Sequence, residues 1–297
     1  MSSSKSDLLA TLGWLVDAGA DEAVHESPVD HFAAKGAGGN SARPLGQGKP
    51  NTPVPRLAES SAVRPQYPRP VAPFAGDPPP RPTAESGDSI GTAIATAAAC
   101  NSLAELRAAL EAFDGCGLKK SATKTVFADG TPRNGIMFIG EAPGREEDLA
   151  GLPFVGRAGK LLDKMLASIG LDRATNAYIT NVINWRPPGN RDPSPEEAAS
   201  CLPFLRRHIE LVSPGVIVLL GAVAARHVMG RTDGIMRLRG KWLEYYVDGN
   251  MVPVMPTLHP AYLLRRAIDK KLAWRDLQEI SAKVNLLGLL EHAVERS

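Results

Sequence analysis

From residue 134 onward the chain repeats one pattern: a short unbroken apolar run, a turn, then a longer segment with apolar residues at helical spacing. The runs fall at 135–140, 177–183, 215–220 and 251–256, and the helical segments at 157–169, 195–211, 222–229 and 268–287. Runs such as Ile136-Met137-Phe138-Ile139 and Val216-Ile217-Val218-Leu219-Leu220 carry no polar alternation. Strands of that kind need cover on both faces, which amphipathic crossover helices supply. The expected fold is therefore α/β: a three-layer α/β/α sandwich with a central four-stranded parallel sheet. Local chemistry agrees at the helix predicted from 195, where Ser194 can cap, Pro195 suits the first position and Glu196 and Glu197 suit the first turn.

The residues before this pattern differ in composition. Thirteen of the 25 prolines lie before residue 90, among Ala, Gly and Ser. Such a segment buries too little apolar surface to offset its chain entropy. The expected organisation is an N-terminal amphipathic helix at 1–27, carried by Leu8, Leu9, Leu12, Leu15 and Val16, a disordered Pro/Ala/Gly-rich linker at 28–90, and a catalytic domain at 91–297 that opens with a helical stretch to residue 113. The N-terminal helix either packs on its own chain or, with the linker, binds a protein partner. The net charge of +2 announces no nucleic-acid partner by itself. Three widely spaced cysteines argue against a disulfide scaffold and for a reducing cytoplasm. No signal peptide and no 18-residue apolar run is found, so no membrane role is expected. A monomer is expected.

Parallel α/β sheets place ligands at the carboxyl ends of their strands, and three of the strands here run into loops rich in functional groups. The first gives Gly140-Glu141-Ala142-Pro143-Gly144, followed by Leu152-Pro153-Phe154-Val155-Gly156. Neither G-x-G-x-x-G nor a Walker loop is present, so a phosphate cradle is unsupported, and no Gly-x-Ser-x-Gly elbow marks an α/β hydrolase. The second strand leads through Asn181 to Arg186-Pro187-Pro188-Gly189-Asn190-Arg191. An asparagine amide offers donors and an acceptor that match the amide-and-carbonyl edge of a pyrimidine, or it simply caps a loop. The last strand leads to His259-Pro260-Ala261, then Leu263, Leu264, Arg265 and Arg266. Each tip has a purely structural alternative; their arrival at one sheet edge favours a shared site.

Read in order, GEAPG (140–144), GLPFVGRAGKLLD (151–163), YITNV (178–182), RPPGNRDP (186–193), LRGKW (238–242) and HPAYLLR (259–265) resemble the uracil-DNA glycosylase superfamily, and most nearly its fourth family. The resemblance covers about residues 105–285. It implies an enzyme that flips uracil out of uracil-containing DNA and hydrolyses its N-glycosidic bond, as the first step of base excision repair. It implies that Ala142, Phe154 and Asn181 bind uracil. His259 would stabilise charge growing on O2, Glu141 and Asn190 would share the activation of water, and Leu263 or Leu264 would wedge into the DNA stack. Arg186, Arg191, Arg265 and Arg266 would meet phosphates, and Arg237, Arg239 and Lys241 form a second basic cluster. Relatives in the fourth family hold a [4Fe–4S] cluster on four cysteines. Here Cys116 and Cys201 match two of those positions, but Phe113 and Trp185 occupy the others, and Cys100 could replace at most one. No cofactor and no metal is therefore expected. The alternative reading is a relative that binds DNA or lesions without turnover.

Overall fold

A computed structural model describes residues 84–132 and 135–290, with side chains from 89. The expected N-terminal helix, and the expected linker as far as residue 83, lie outside the described residues. Two helices come first, α1 (Ala84–Ala98) and α2 (Leu103–Ala112). The last residues of the expected linker are thus helical, and the helical stretch expected over 91–113 breaks between residues 98 and 103, where Ser102 caps α2 by accepting from the Glu105 N–H.

Among the described residues the sheet has six strands rather than the expected four, in the order β1-β3-β2-β4-β6-β5. The strands are β1 (Ala128–Gly130), β2 (Ile136–Gly140), β3 (Tyr178–Asn181), β4 (Val216–Leu220), β5 (Leu243–Val247) and β6 (Asn250–Thr257). The four expected strands are parallel and central, while β1 and β5 add antiparallel edges. Those edges escaped the sequence because one is three residues long and the other, Leu-Glu-Tyr-Tyr-Val, is not an unbroken apolar run. The intervening helices are α3 (Arg145–Ala150), α4 (Arg157–Ala167), α5 (Pro195–Val212), α6 (Ala222–Met229), α7 (Ile235–Leu238), α8 (Pro260–Arg265) and α9 (Lys270–Leu286).

The period of two along each strand divides the core into two layers. Met137, Ile139, Ile217, Leu219 and Val254 face one side, where they meet Leu106, Leu110, Phe204 and Leu205 of α2 and α5. Ile136, Phe138, Val216, Val218 and Leu220 face the other, against Leu162 and Met165 of α4 and Leu277 and Ile280 of α9. Register then sets the working edge: Gly140 pairs with Asn181, and Leu220 pairs with Thr257. Glu141, Asn181 and His259 therefore leave the sheet within one or two residues of the same line.

Candidate active site

A cavity of about 290 Å³ opens at that edge. It is lined by Glu141, Ala142, Phe154, Asn181, Asn190, Arg191, His259 and Arg265 among others, so most of the expected site residues meet in one space. Arg186, Leu263, Leu264 and Arg266 are not among its walls.

Asn181 is 2% exposed, and its Oδ1 has no hydrogen-bond partner. Leaving a buried carbonyl unpaired costs about 1–3 kcal/mol. That acceptor belongs to a residue of the cavity wall, where a ligand N–H could reach it. Gly140 makes room: a Cβ there would lie 2.4 Å from the Asn181 Oδ1 and 2.5 Å from the Phe154 ring. No side chain larger than hydrogen lets the amide and the ring share this corner.

Phe154 is buried, with φ of +53°, in the left-handed region that a bulky residue avoids. Conformations of this kind cost about 1–3 kcal/mol and persist only where the surroundings impose them. Two groups that the sequence did not single out do so. The Glu147 carboxylate of α3 accepts from the backbone N–H groups of Gly144, Val155 and Gly156 at 3.0, 3.1 and 3.0 Å, tying the two pocket loops together. The Arg173 guanidinium donates to the carbonyls of Pro153 and Phe154 at 3.1 and 2.9 Å. A sequence signal existed for Glu147, a Glu three residues after Gly144 at a helix start. Arg173 carried none, because its bonds to the pocket loop go to backbone carbonyls about twenty residues away.

His259 caps α8, its Nδ1 accepting from the Ala261 N–H at 3.1 Å. That bond leaves the proton on Nε2 in the neutral ring. Burial pushes the imidazole down to about 4, the nearby Arg265 cation acting in the same direction and Glu147 partly against it. The ring is therefore neutral at pH 7 and is an N–H donor. Its centroid lies 5.5 Å from that of Phe154, at 34°. Below it, Thr257 donates to the buried Asp276 at 2.7 Å, and Arg239 pairs with the same carboxylate. Arg239 is thus spent inside the fold, which removes it from the expected basic cluster.

Glu141 is half-buried, and its carboxyl is held above the ordinary range by burial first and the Asp192 carboxylate second, with Arg226 opposing. Asn190 sits at φ of +55° and accepts from the Arg186 Nε at 2.8 Å. Arg191 pairs with Glu197 through both terminal nitrogens, at 2.8 and 2.6 Å. Both loop arginines are therefore already engaged, which was not visible from their order in the chain. Leu263 is fully buried in the core, whereas Leu264 is 41% exposed. Of the two expected wedge candidates, only Leu264 is available.

The four positions where relatives would hold an iron–sulfur cluster lie in the core between α1, α2 and α5. Cys116 and Cys201 are buried, and the interaction between the two thiols holds that of Cys116 below and that of Cys201 above the ordinary range. Phe113 packs its ring 5.0 Å from that of Phe204, and the buried Trp185 donates to Thr125 Oγ1 at 3.0 Å. Cys100 donates instead to the Thr96 carbonyl within α1. Two thiols with two packed aromatic rings do not make a four-thiolate donor set. Among the described residues no group of three His, Cys, Asp or Glu side chains could hold a metal ion, and no helix is long and apolar enough to cross a membrane.

Comparison with known proteins agrees with the motifs. Residues 127–278 match the family model described as the uracil DNA glycosylase superfamily. The type-4 uracil-DNA glycosylase of Archaeoglobus fulgidus is 49% identical over 155 residues, which are 51% of this chain and 77% of that protein. That of Thermotoga maritima is 40% identical over 176 residues, 58% of this chain and 90% of the relative. That of Sulfurisphaera tokodaii is 39% identical over 170 residues, 56% and 77% respectively.

Proposed function

Because the chain belongs to the uracil DNA glycosylase superfamily, we propose that it hydrolyses the bond between uracil and deoxyribose in DNA, leaving an abasic site for base excision repair. The observation that carries this reading is the buried, unpartnered Oδ1 of Asn181 in the cavity wall. Uracil offers a donor at N3–H beside an acceptor at O4. The amide of Asn181 meets both. Cytosine presents the reverse pattern and would leave the same buried groups unpaired, so the site rejects it.

The base can reach this cavity only when flipped from the helix. Phe154 then stacks on the ring, and Ala142 borders it. As the glycosidic bond breaks, electrons move onto the base, and O2 gains negative charge. The Nε2–H of a neutral His259 donates to that oxygen. The ring needs no reorganisation to do so, and the gain exists mainly in the transition state. Glu141, whose raised pKa strengthens it as a proton acceptor, draws the proton from the attacking water and offsets positive charge on the sugar. Asn190 holds that water through the amide nitrogen left free by Arg186. Leu264 fills the gap left by the flipped base, and Arg265 and Arg266 at the adjoining exposed turn meet phosphates. We place this work in a single copy of the chain in the cytoplasm and leave the N-terminal region for a protein partner.

The direct test is a labelled oligonucleotide containing one uracil, incubated with the protein and then treated with alkali. A shortened strand is expected. A mobility shift with no shortened strand would instead establish a DNA-binding relative without turnover. We also read the Cys116–Cys201 region as a packed core without a cluster. Iron and sulfide should be absent from anaerobically purified protein, and about four atoms of each per chain would overturn that reading.

A further inference from the structure

We propose that Arg173 is a positioning residue for uracil excision: its guanidinium fixes the Pro153–Phe154 backbone so that the Phe154 ring is presented parallel to the face of the flipped base. The inference rests on the reading of Phe154 as the stacking surface.

Arg173 lies in the loop between α4 and β3, with its side chain 19% exposed. Its Nε and Nη2 donate to Asp163 of α4 at 2.9 and 2.6 Å, and its Nη1 donates to Asp129 of β1 at 2.8 Å. The remaining donors reach the carbonyls of Pro153 and Phe154. A guanidinium has five N–H groups, and these contacts use all of them. Two carboxylates neutralise the cation, which offsets the cost of burying it. The consequence falls on two consecutive peptide carbonyls, and these set the plane from which the Phe154 side chain hangs.

The same carbonyl is confined from the opposite side. A Cβ at Gly159, in the first turn of α4, would lie 1.8 Å from the Phe154 oxygen. The Phe154 carbonyl is therefore held between a glycine that admits it and an arginine that grips it, while the residue adopts a left-handed φ of +53°. Without those restraints the backbone has a lower-energy conformation available, and in it the ring no longer lies over Gly140 beside Asn181. Lysine cannot substitute, because one ammonium presents three donors from a single point and cannot span two carbonyls and two carboxylates.

The test compares wild type with R173K, G159A, D163N, F154A and the F154A/R173K double variant. Two readouts are taken: single-turnover uracil excision, and equilibrium binding to DNA that already contains an abasic site. R173K and G159A should each slow excision by about 10- to 100-fold, the penalty expected of a reacting pair misplaced by about 1 Å. Abasic-site binding should stay within about twofold, because no base remains to be stacked. R173K should add less than about twofold to the loss already caused by F154A, since both remove the same contact. D163N keeps both carbonyl bonds, so it should lower Tm yet excise at the wild-type rate. Additive losses in the double variant, equal weakening of abasic-site binding, or a D163N variant as slow as R173K would each show a general structural staple and overturn the proposal. Should R173K not fold, G159A displaces the same carbonyl with the arginine intact, and wild-type excision by G159A overturns the proposal. If wild type excises no uracil, the functional reading fails instead, so the two failures are distinguishable.

Discussion

Among the described residues, His208 and His259 are both depressed in pKa and neutral at pH 7, the first buried and the second half-buried, yet they do opposite things. His208, on α5, has its Nε2 2.9 Å from the Tyr178 hydroxyl and stacks at 4.4 Å and 6° on Phe127. Burial alone pushes it down to about 3. His259 is pushed down to about 4, also mainly by burial. The direction and main cause of the pKa shift therefore do not separate them. What separates them is unspent hydrogen-bonding capacity. His208 has a side-chain partner and aromatic neighbours closing its surroundings. His259 uses Nδ1 to cap a helix and keeps Nε2–H toward a cavity that also holds an unpartnered asparagine oxygen. A perturbed group indicates function when its neighbours leave it something to do.

The comparison is broken most severely by His259→Ala. Removing one donor to a developing oxyanion costs about 10²–10³ in rate. The single-turnover rate should fall by about that factor, while binding to uracil-containing DNA changes by less than about threefold, because the missing bond forms in the transition state. An equal loss in both would move His259 from catalysis to binding. Asn181→Asp should follow closely. A carboxylate keeps an acceptor for N3–H but turns a repelling charge toward O4, so uracil excision should fall by about 10² or more. Unchanged excision, measured with the same oligonucleotide, would leave the base-reading role without support.

How much of this was legible beforehand follows from the range of the interactions. The central parallel strands and their helices could be read because burial on both faces leaves a continuous apolar run. The edges could not: the β1 sequence Ala128-Asp129-Gly130 has no pattern a strand requires, and its pairing to β3 supplies what the sequence lacks. Glu141, Asn181 and His259 could be placed on one edge because each ends a strand. The claims on Arg186, Arg191 and Arg239 rested on charge alone. Charge does not reveal that Asn190, Glu197 and Asp276 have already taken those guanidinium groups. Arg173 is the plainest case, since an arginine that acts on carbonyl oxygens leaves no trace in residue types.

His208→Gln sharpens the comparison from the structural side. Glutamine can still bond the Tyr178 hydroxyl but does not titrate, so excision at pH 7.5 should stay within about twofold of wild type. The effect should appear in acid stability. Both imidazoles have folded-state pKa values, about 3 and about 4, below the unfolded value of about 6.5. The unfolded chain therefore takes up these protons first. The stability that each group contributes is present above pH 6.5 and is lost as the pH falls toward those values, at about 1.4 kcal/mol per pH unit for each ring. In His208→Gln one of the two contributions disappears, and unfolding free energy measured in urea from pH 6.5 to 4.5 should fall less steeply than in wild type. The carboxylates titrate in both proteins and cancel in the difference. Parallel pH profiles would mean that His208 is solvated well enough to protonate in place.

Leu264 carries the contrast between spent and unspent groups from polar side chains to apolar ones. Leu263 and Leu264 are adjacent and chemically identical, but the first is 0% exposed and the second 41%. Leu263→Ala removes core contacts and should cost about 2–5 kcal/mol of stability. At temperatures where the protein remains folded, its excision rate should be largely kept. Leu264→Ala deletes a partly exposed side chain, so Tm should move far less than in Leu263→Ala. Its partner is the gap in the base stack, and refilling that gap recovers part of an unstacking cost of a few kcal/mol. Excision from duplex DNA should therefore fall by about tenfold, while single-stranded substrate, which has no paired stack to refill, should be cut at close to the wild-type rate. Equal losses on both substrates would assign Leu264 to the pocket wall instead, and no loss on duplex would pass the wedge to Ile268, the next exposed apolar side chain along the same turn.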